Sequence, residues 1–345
     1  MDPRGRRHNA AMPLIALLPA VASVFFGAPQ AQSYDIGEVD LFGQTGVDEL
    51  KILRGLPVHA GDKISSDELS RIKGQIGAQV QLVVGKPPTD IAVVSFDDRG
   101  KTMIFVGVPG PTVATPAYRL APTGPAALPP EGLKLYSDFS DRLLPAIQAG
   151  GGKEDDSQGY ALFSDDKLHA IQLEMRAFAV ANEKTVEEVL RSSSSAAQRQ
   201  AAAMILGYAQ HSRKQIESLS AAALDSDEVV RNNAIRALGV IAVSDQTMRA
   251  TYPASQFIDL LRSGTWTDRN KGGWVIEVLT QGRDANLLKL VRKKALSSLI
   301  EMARWHNPGH AKPAMLILGR IAGIPEQRLA DLADKHDVES VLAAL

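Results

Sequence analysis

The sequence predicts an α+β unit ordered strand, helix, helix, strand, strand, followed by an all-α stack of helical hairpins. Three observations predict it. Short β-rich runs flank two helical segments before residue 109. A stretch rich in Pro, Gly, Ala and Thr then breaks all regular periodicity. From about Leu162 to Leu345 helix follows helix, and one apolar frame returns after 32 residues. Aromatic content is only 5%, while hydrophobic content is 45%. That balance favours helix–helix packing around a real core.

The N-terminus reads as an address rather than as structure. Arg4, Arg6, Arg7 and His8 form a positive region, and Pro13 to Gly27 is almost entirely apolar or small. The chain turns polar at Gln30-Ala31-Gln32-Ser33. This layout predicts a secretory signal over residues 1–31 and an exported, periplasmic or secreted protein, membrane-tethered if the signal is retained. The apolar stretch is short for a spanning helix, and no later segment is long and apolar enough to span a membrane. Removing residues 1–31 takes away three arginines and one aspartate, leaving a mildly acidic chain.

Residues 34–109 hold the α+β unit. Ile36, Val39 and Leu41 mark a first strand, and Val47 to Leu53 a short helix stopped by Gly55 and Pro57. Ser65 or Ser66 caps a longer helix whose apolar face is Leu69, Ile72, Ile76, Val80 and Val83. Ile91 to Phe96 and Thr102 to Val108 read as two strands joined through Asp97-Asp98-Arg99-Gly100. Ile36 to Gly43, with the run Leu56-Pro57-Val58-His59-Ala60-Gly61-Asp62-Lys63-Ile64, resembles a POTRA domain, a unit of outer-membrane assembly and secretion proteins. That resemblance implies a sheet that binds extended peptides by adding a strand at its edge. No β-barrel pattern follows.

Residues 110–159 read as a Pro/Gly-rich linker, or a strap across a neighbour, with one helix over 133–148. Pro109, Pro111, Pro116, Pro122, Pro125, Pro129 and Pro130 keep its first part extended. Gly150-Gly151-Gly152-Lys153 lacks the upstream Gly and the following Ser or Thr of a phosphate loop.

Residues 160–345 carry the repeats. Arg199 to Gly207 and Arg231 to Gly239 share Arg, a small residue three positions on, and a closing Leu-Gly. Arg292 to Leu299 repeats the frame, and Leu318-Gly319 repeats its ending. Small Ala and Gly let helices approach, Leu and Ile fill the seam, and such hairpins must stack to bury their apolar faces. Leu224-Asp225-Ser226-Asp227-Glu228-Val229-Val230-Arg231-Asn232-Asn233-Ala234-Ile235-Arg236-Ala237-Leu238-Gly239 resembles a HEAT repeat of the bacterial, phycobilisome-lyase-like type. The resemblance implies an α-solenoid with a binding surface, and no lyase chemistry.

The chemistry-bearing residues point away from catalysis. With no cysteine, disulfides, thiolate metal sites and Cys nucleophiles are excluded. Asp225, Asp227 and Arg231 read as caps plus an intra- or inter-repeat ion pair. His306 and His310 are four apart, but Pro308 and Gly309 stand between them, which predicts a turn between helices rather than a metal site. Lys289, Arg292, Lys293 and Lys294 read as a solvated helix face. The formal net charge of −1 excludes the basic advertisement of a nucleic-acid binder. No Ser-His-Asp, G-x-S-x-G, H-E-x-x-H or G-x-G-x-x-G pattern occurs. No catalytic, metal or cofactor site is expected.

One segment is unusual. Trp266, Asp268, Arg269, Lys271 and Trp274 place two Trp around a dense polar run, and Trp305 extends it if the hairpins stack. Trp and Arg are enriched in binding hot spots, so these six are the candidate protein-binding residues. The bland alternative is a longer inter-helix turn with Thr267 or Asp268 as N-cap and the rings in the seam. The expectation is a non-enzymatic extracytoplasmic scaffold or adaptor with a protein partner. One alternative is a structural component of an envelope secretion or outer-membrane assembly complex. Another is a hydrolase or lyase-like enzyme whose site the sequence does not display.

Overall fold

The computed structural model describes residues 33–43, 48–94 and 100–345. The segment 1–31, Val47 and most of the turn at 97–100 lie outside them. A small N-terminal sheet leads into a mostly helical repeat stack.

The sheet comprises β1 (Ser33–Phe42), β2 (Lys63–Ser65), β3 (Ile91–Val94) and β4 (Thr102–Gly107), in the order β2-β1-β4-β3. β1 runs parallel to β4, and the other pairings are antiparallel. The three-residue β2 escaped the sequence reading because it is too short to show alternation. Helices α1 (Glu49–Arg54) and α2 (Ser66–Val84) cover one face. Asp48 caps α1, while Ser65 and Glu68 form a reciprocal capping box on α2. Ile36, Ile52, Ile72, Ile76, Ile104 and Val106 make the core between them.

Every residue of β4 is buried. A strand covered on both faces loses its apolar/polar alternation, which is why this run reads as continuously hydrophobic. Ile104 and Val106 face the α1–α2 core, whereas Met103 and Phe105 belong to the core of the helical stack.

Helix α3 (Pro130–Gln148) starts three residues before the expected helix, because Pro130 fits the first helical turn. It packs on α4 (Asp166–Ser192) and α5 (Ala196–Leu206). Between them, β5 (Glu154–Asp155) and β6 (Leu162–Phe163) form a two-stranded ladder where no strand was expected. The buried Gln172 side chain holds it, accepting from the Phe163 amide at 2.7 Å and donating to the Ala161 carbonyl at 2.9 Å.

The hairpins are α4/α5, α6 (Arg213–Ala222)/α7 (Glu228–Ser244), α8 (Ala254–Leu260)/α9 (Trp266–Thr280), α10 (Ala285–Ala303)/α11 (Pro308–Ile321) and α12 (Glu326–Asp334)/α13 (Val338–Leu342). A 3-10 turn (Gln246–Thr251) joins α7 to α8. The second helices α5, α7, α9 and α11 stack in that order. Pro308 and Gly309 do not break a helix. Pro308 occupies the first position of α11 behind the N-cap Asn307, so His306 lies in the turn and His310 inside the helix.

The Leu-Gly endings work by contact. A Cβ on Gly239 would lie 2.2 Å from Cζ3 of Trp274 on the next repeat, and one on Gly319 would lie 2.2 Å from Cδ1 of Leu329. Trp274 is 7% exposed and hemmed in, so its ring cannot retreat. Gly239→Ala is therefore expected to destabilise the stack by about 1–3 kcal/mol through overpacking. Gly74→Ala, in α2 with nothing within 4 Å of the added carbon, is expected to be neutral or to stabilise by up to about 1 kcal/mol. Urea unfolding of the two variants checks the contrast; equal shifts would contradict the close-approach role of Gly239.

Candidate partner-binding site

The six candidate contact residues do not form an exposed patch. Trp266, Asp268, Arg269, Lys271, Trp274 and Trp305 are all buried, none more than 7% exposed. The reason is that α9 begins at Trp266, so the polar run is helical and turns its length into the repeat stack. Neither Thr267 nor Asp268 is the N-cap; that position is Thr265. Trp266 and Trp305 do meet a partner surface, but it belongs to the same chain, while Trp274 packs on Gly239 of the preceding repeat.

That surface is the second face of the N-terminal sheet. Phe105 stacks on Trp266 with ring centroids 4.6 Å apart and lies 5.6 Å from Trp305. His310 sets its edge against both, at 5.6 Å from Phe105 and 5.1 Å from Trp266. Such offset and edge-on pairs add to the area they bury. Polar clasps surround the rings. Asp90 accepts from the Trp266 amide at 2.9 Å, and Asp40 accepts from the His306 amide at 2.9 Å. Glu301 accepts from the Gly43 amide at 2.8 Å and pairs with the buried Arg269 at 3.1 Å.

Glu38 and Asp40 project from one face of β1 toward His306, and one ligand atom from each lies within 4.8 Å of the others. Burial, then the Asp40 charge, raises the Glu38 carboxyl to about 7. The hydrogen bond and charge of Asp40 lift His306 to about 9. The trio reads as an ionic clasp between sheet and stack.

The turns that open the second helices have a common construction. The fourth residue of α5, α7 and α9 is Arg199, Arg231 and Arg269. Each guanidinium donates to the carbonyl six residues back, on Ser193 at 2.9 Å, Asp225 at 3.0 Å and Ser263 at 2.5 Å. Each also pairs with an acid on a later element: Arg199 with Asp225, Arg231 with Asp268 and Arg269 with Glu301. Buried charges survive only when paired and hydrogen-bonded in this way. Asp227 caps α7 as expected, accepting from the Val230 amide at 3.0 Å.

The Pro-rich segment 109–129 is seated along these turns as a strap. Three of its amides donate to successive turns: Ala114 to Arg262 at 2.8 Å, Arg119 to Leu224 at 2.7 Å and Gly124 to Ser192 at 2.9 Å. Each accepting carbonyl lies three residues before the N-cap of α9, α7 or α5, and the donors are five residues apart. Side chains add to this register. Tyr118 Oη donates to Asp268 at 2.5 Å and lies 3.0 Å from Ser263 Oγ, with Arg231 4.1 Å above its ring. Burial, then the Asp268 charge, pushes the Tyr118 phenol up to about 12, so it stays a donor. The Arg119 Nε donates to Asp225 at 3.0 Å, and its Nη2 donates to the Leu190 carbonyl at 2.9 Å. Burial alone raises the Asp225 carboxyl, but hydrogen bonds from Arg199, the Asp227 amide and Arg119 hold it below the usual value.

A second buried polar set lies deeper. Arg236 pairs with Glu154 of β5, and both face Lys271. Burial, then the neighbouring Arg236, lowers the Lys271 amine to about 7. Ala161, Met204, Gly207, Tyr208, Asn233, Arg236, Ala237 and Val240 line a narrow pocket beside it. The basic run on α10 meets its neighbours where Lys294 pairs with Asp259 at 2.9 Å and where Arg292 Nη2 donates to the Leu345 carbonyl at 3.2 Å.

Residues 183–279 match the family model for HEAT repeats. No curated protein matches the chain. Among solved structures, the chain is similar to a designed armadillo repeat protein in complex with the peptide (KR)4, at 17% identity and a TM-score of 0.38, over 53% of this chain and 87% of that one. It is also similar to computationally designed armadillo repeat proteins for modular peptide recognition, at 17% identity and a TM-score of 0.37, over 62% and 91%. The HEAT match and the stacked hairpins together make this a helical-repeat protein with a small N-terminal sheet region. Among the described residues no helix is long and apolar enough to cross a membrane.

The aromatic joint carries a pH dependence. Burial, then the nearby Lys271, depresses His310 to about 3, and its Nδ1 lies 3.2 Å from Asn270 Oδ1. The folded ring is neutral, whereas the unfolded histidine titrates near its ordinary value of about 6.5. As pH falls below that value the unfolded chain binds a proton that the folded chain refuses, until the folded value is reached. His310 therefore subtracts up to about 1.4 kcal/mol of stability per pH unit between these limits. His310→Phe is expected to flatten the fall in stability between pH 6.5 and 4 relative to the parent, read by urea midpoints at each pH. Parallel curves would contradict a neutral buried ring.

Proposed function

We propose that the chain is a non-enzymatic, exported scaffold that binds polypeptide partners, with its repeat stack and its sheet as separate contact elements. The observation that carries the reading is the strap. The turn edges of three successive repeats hold an extended segment by regularly spaced backbone bonds, so they have the chemistry to hold polypeptide. The titratable groups support the non-enzymatic part, since Asp225, Asp268, Glu301, Arg199, Arg231 and Arg269 are engaged in holding repeats together. The signal-like pattern over residues 1–31 supports export.

The sheet supports the finer part of the reading. A POTRA-like unit binds an extended strand at a sheet edge, and β3 pairs only with β4 among the described strands. Its outer edge supplies backbone donors and acceptors for an added strand. The adaptor would hold one partner there and another on the repeats. This edge also favours a second reading, membership of an envelope secretion or outer-membrane assembly complex.

Affinity capture from native envelope extract, with the chain from residue 32 onward as bait, tests both. The parent is expected to retain a specific partner. Consecutive strand amides point to opposite edges, so one of Ala92→Pro and Val93→Pro removes an outward donor while sparing the β4 ladder. That variant is expected to lose the edge-bound partner while unfolding at the parent temperature. A β-barrel or ring component among the retained proteins selects the assembly reading. No specific capture by the parent would count against the scaffold.

A further inference from the structure

The regular spacing of the strap's bonds reveals more than a tether. Covalent linkage alone requires only that residue 109 reach residue 130. It does not require equivalent carbonyls on three repeats to be met by every fifth amide. It also does not require Tyr118 and Arg119 to be inserted where Asp268 and Asp225 already serve the inter-repeat arginines. These two carboxylates have capacity beyond their repeat partners, and the strap fills it.

We propose that the turn edge of α5, α7 and α9 is a binding track for an extended, proline-rich segment carrying an aromatic hydroxyl followed by arginine, and that the strap occupies it in competition with such a segment of a partner protein. Three features define the ligand. Proline is tolerated because few amides are needed as donors: Ala114, Arg119 and Gly124 meet the turns and Leu128 meets Gln198 Oε1, and none of Pro111, Pro116, Pro122, Pro125 and Pro129 occupies a donating position. A Tyr-Arg pair is selected because Asp268 accepts the phenol and Asp225 the guanidinium. Glycine is required at the first repeat, since a Cβ on Gly124 would lie 2.6 Å from the Ser192 carbonyl oxygen. The occupant runs opposite to the repeat order, from α9 to α5.

The proposal rests on the scaffold reading but names a site, so the two can fail separately. A scaffold that holds its partner only at the sheet edge would still capture it and would leave this track unable to take a free peptide.

The probe is a fluorescent synthetic peptide with the sequence of residues 110–129. Because the strap fills the track, the parent chain is expected to bind it weakly, with the affinity scaled by the fraction of chains whose strap is open. Arg119→Ala with Gly124→Ala in the full chain should lift the strap and raise peptide affinity at least about ten-fold, measured by fluorescence anisotropy. Adding Asp225→Asn should reverse that gain, and a peptide with alanine at the Tyr118 and Arg119 positions should bind neither form. A lifted chain that keeps its helical circular dichroism yet binds no better than the parent overturns the proposal. So does binding indifferent to both sets of changes. Should the lifted chain not fold, hydrogen exchange on the parent decides. Excess peptide is expected to speed exchange at the Ala114, Arg119 and Gly124 amides; unchanged rates overturn the proposal.

Discussion

Burying a guanidinium at the start of α5, α7 and α9 is the constraint on which the rest of the structure depends. Arg199 and Arg269 are 2% and 0% exposed, and Arg231 is 4% exposed. A cation at that depth is strongly destabilising unless several acceptors meet it. The turn must therefore fold back to bring its carbonyl within reach, and the next hairpin must supply a carboxylate. Repeat order, turn shape and the identity of Asp225, Asp268 and Glu301 follow from that one requirement. The remaining lone pairs on Asp225 and Asp268 then become places where something else can be held.

How much of this was legible in the sequence varies with the range of the interaction. The hairpins were legible because capping and helical periodicity are local. Ser65 with Glu68, and Asp227 with Val230, lie three residues apart, and the Leu-Gly endings recur in register. An ion pair at Arg231 was legible from the Arg shared by the frame at 199 and 231, but its running between repeats was not. The frame's third instance, Arg292, proves to be an exposed residue of α10, while the equivalent arginine is Arg269. The burial of the six candidate residues was not legible because residue type alone does not tell an exposed anchor from a buried one. Trp266, Trp305 and Arg269 look like a hot spot because they are an interface, but the surface they meet is supplied by Phe105 and Phe42, more than 150 residues away in sequence. No local signal announces such a contact. The one available clue was β4 itself, whose unbroken apolar run demanded cover on both faces.

The strap illustrates a different limit. Prolines 109, 111, 116, 122, 125 and 129 argued against helix over 109–129, while the seventh, Pro130, opens α3, and composition also allowed a segment laid across a neighbour. What composition could not supply is register. The five-residue spacing of Ala114, Arg119 and Gly124 acquires meaning only when the turns at Arg262, Leu224 and Ser192 are lined up beside it. Solenoids make that alignment regular, because each repeat presents equivalent atoms at a nearly constant translation. An extended chain is the natural complement to such an array, since it too is periodic and needs few contacts per residue.

Two of the molecule's own segments thus occupy the surfaces that a repeat stack ordinarily offers. The sheet covers the openings of α9 and α11, and the strap covers the turn edge from α9 back to α5. These coverings are not equivalent in kind. The sheet is held by stacked rings and an unbroken β4, so removing it would expose Phe105, Trp266 and Trp305 to water at large hydrophobic cost. Leu128 anchors the end of the strap in the core, but from Ala114 to Gly124 it is held mainly by polar bonds, each of which exchanges for bonds to water at a modest net cost. Tyr118 and Arg119 are only partly buried, and Leu120 beside them is 91% exposed. A competing segment that reproduces the same polar bonds therefore faces a small difference in free energy at the turn edge and a large one at the sheet. Exchange belongs to the strap, and the aromatic joint is the fixed point against which it would occur.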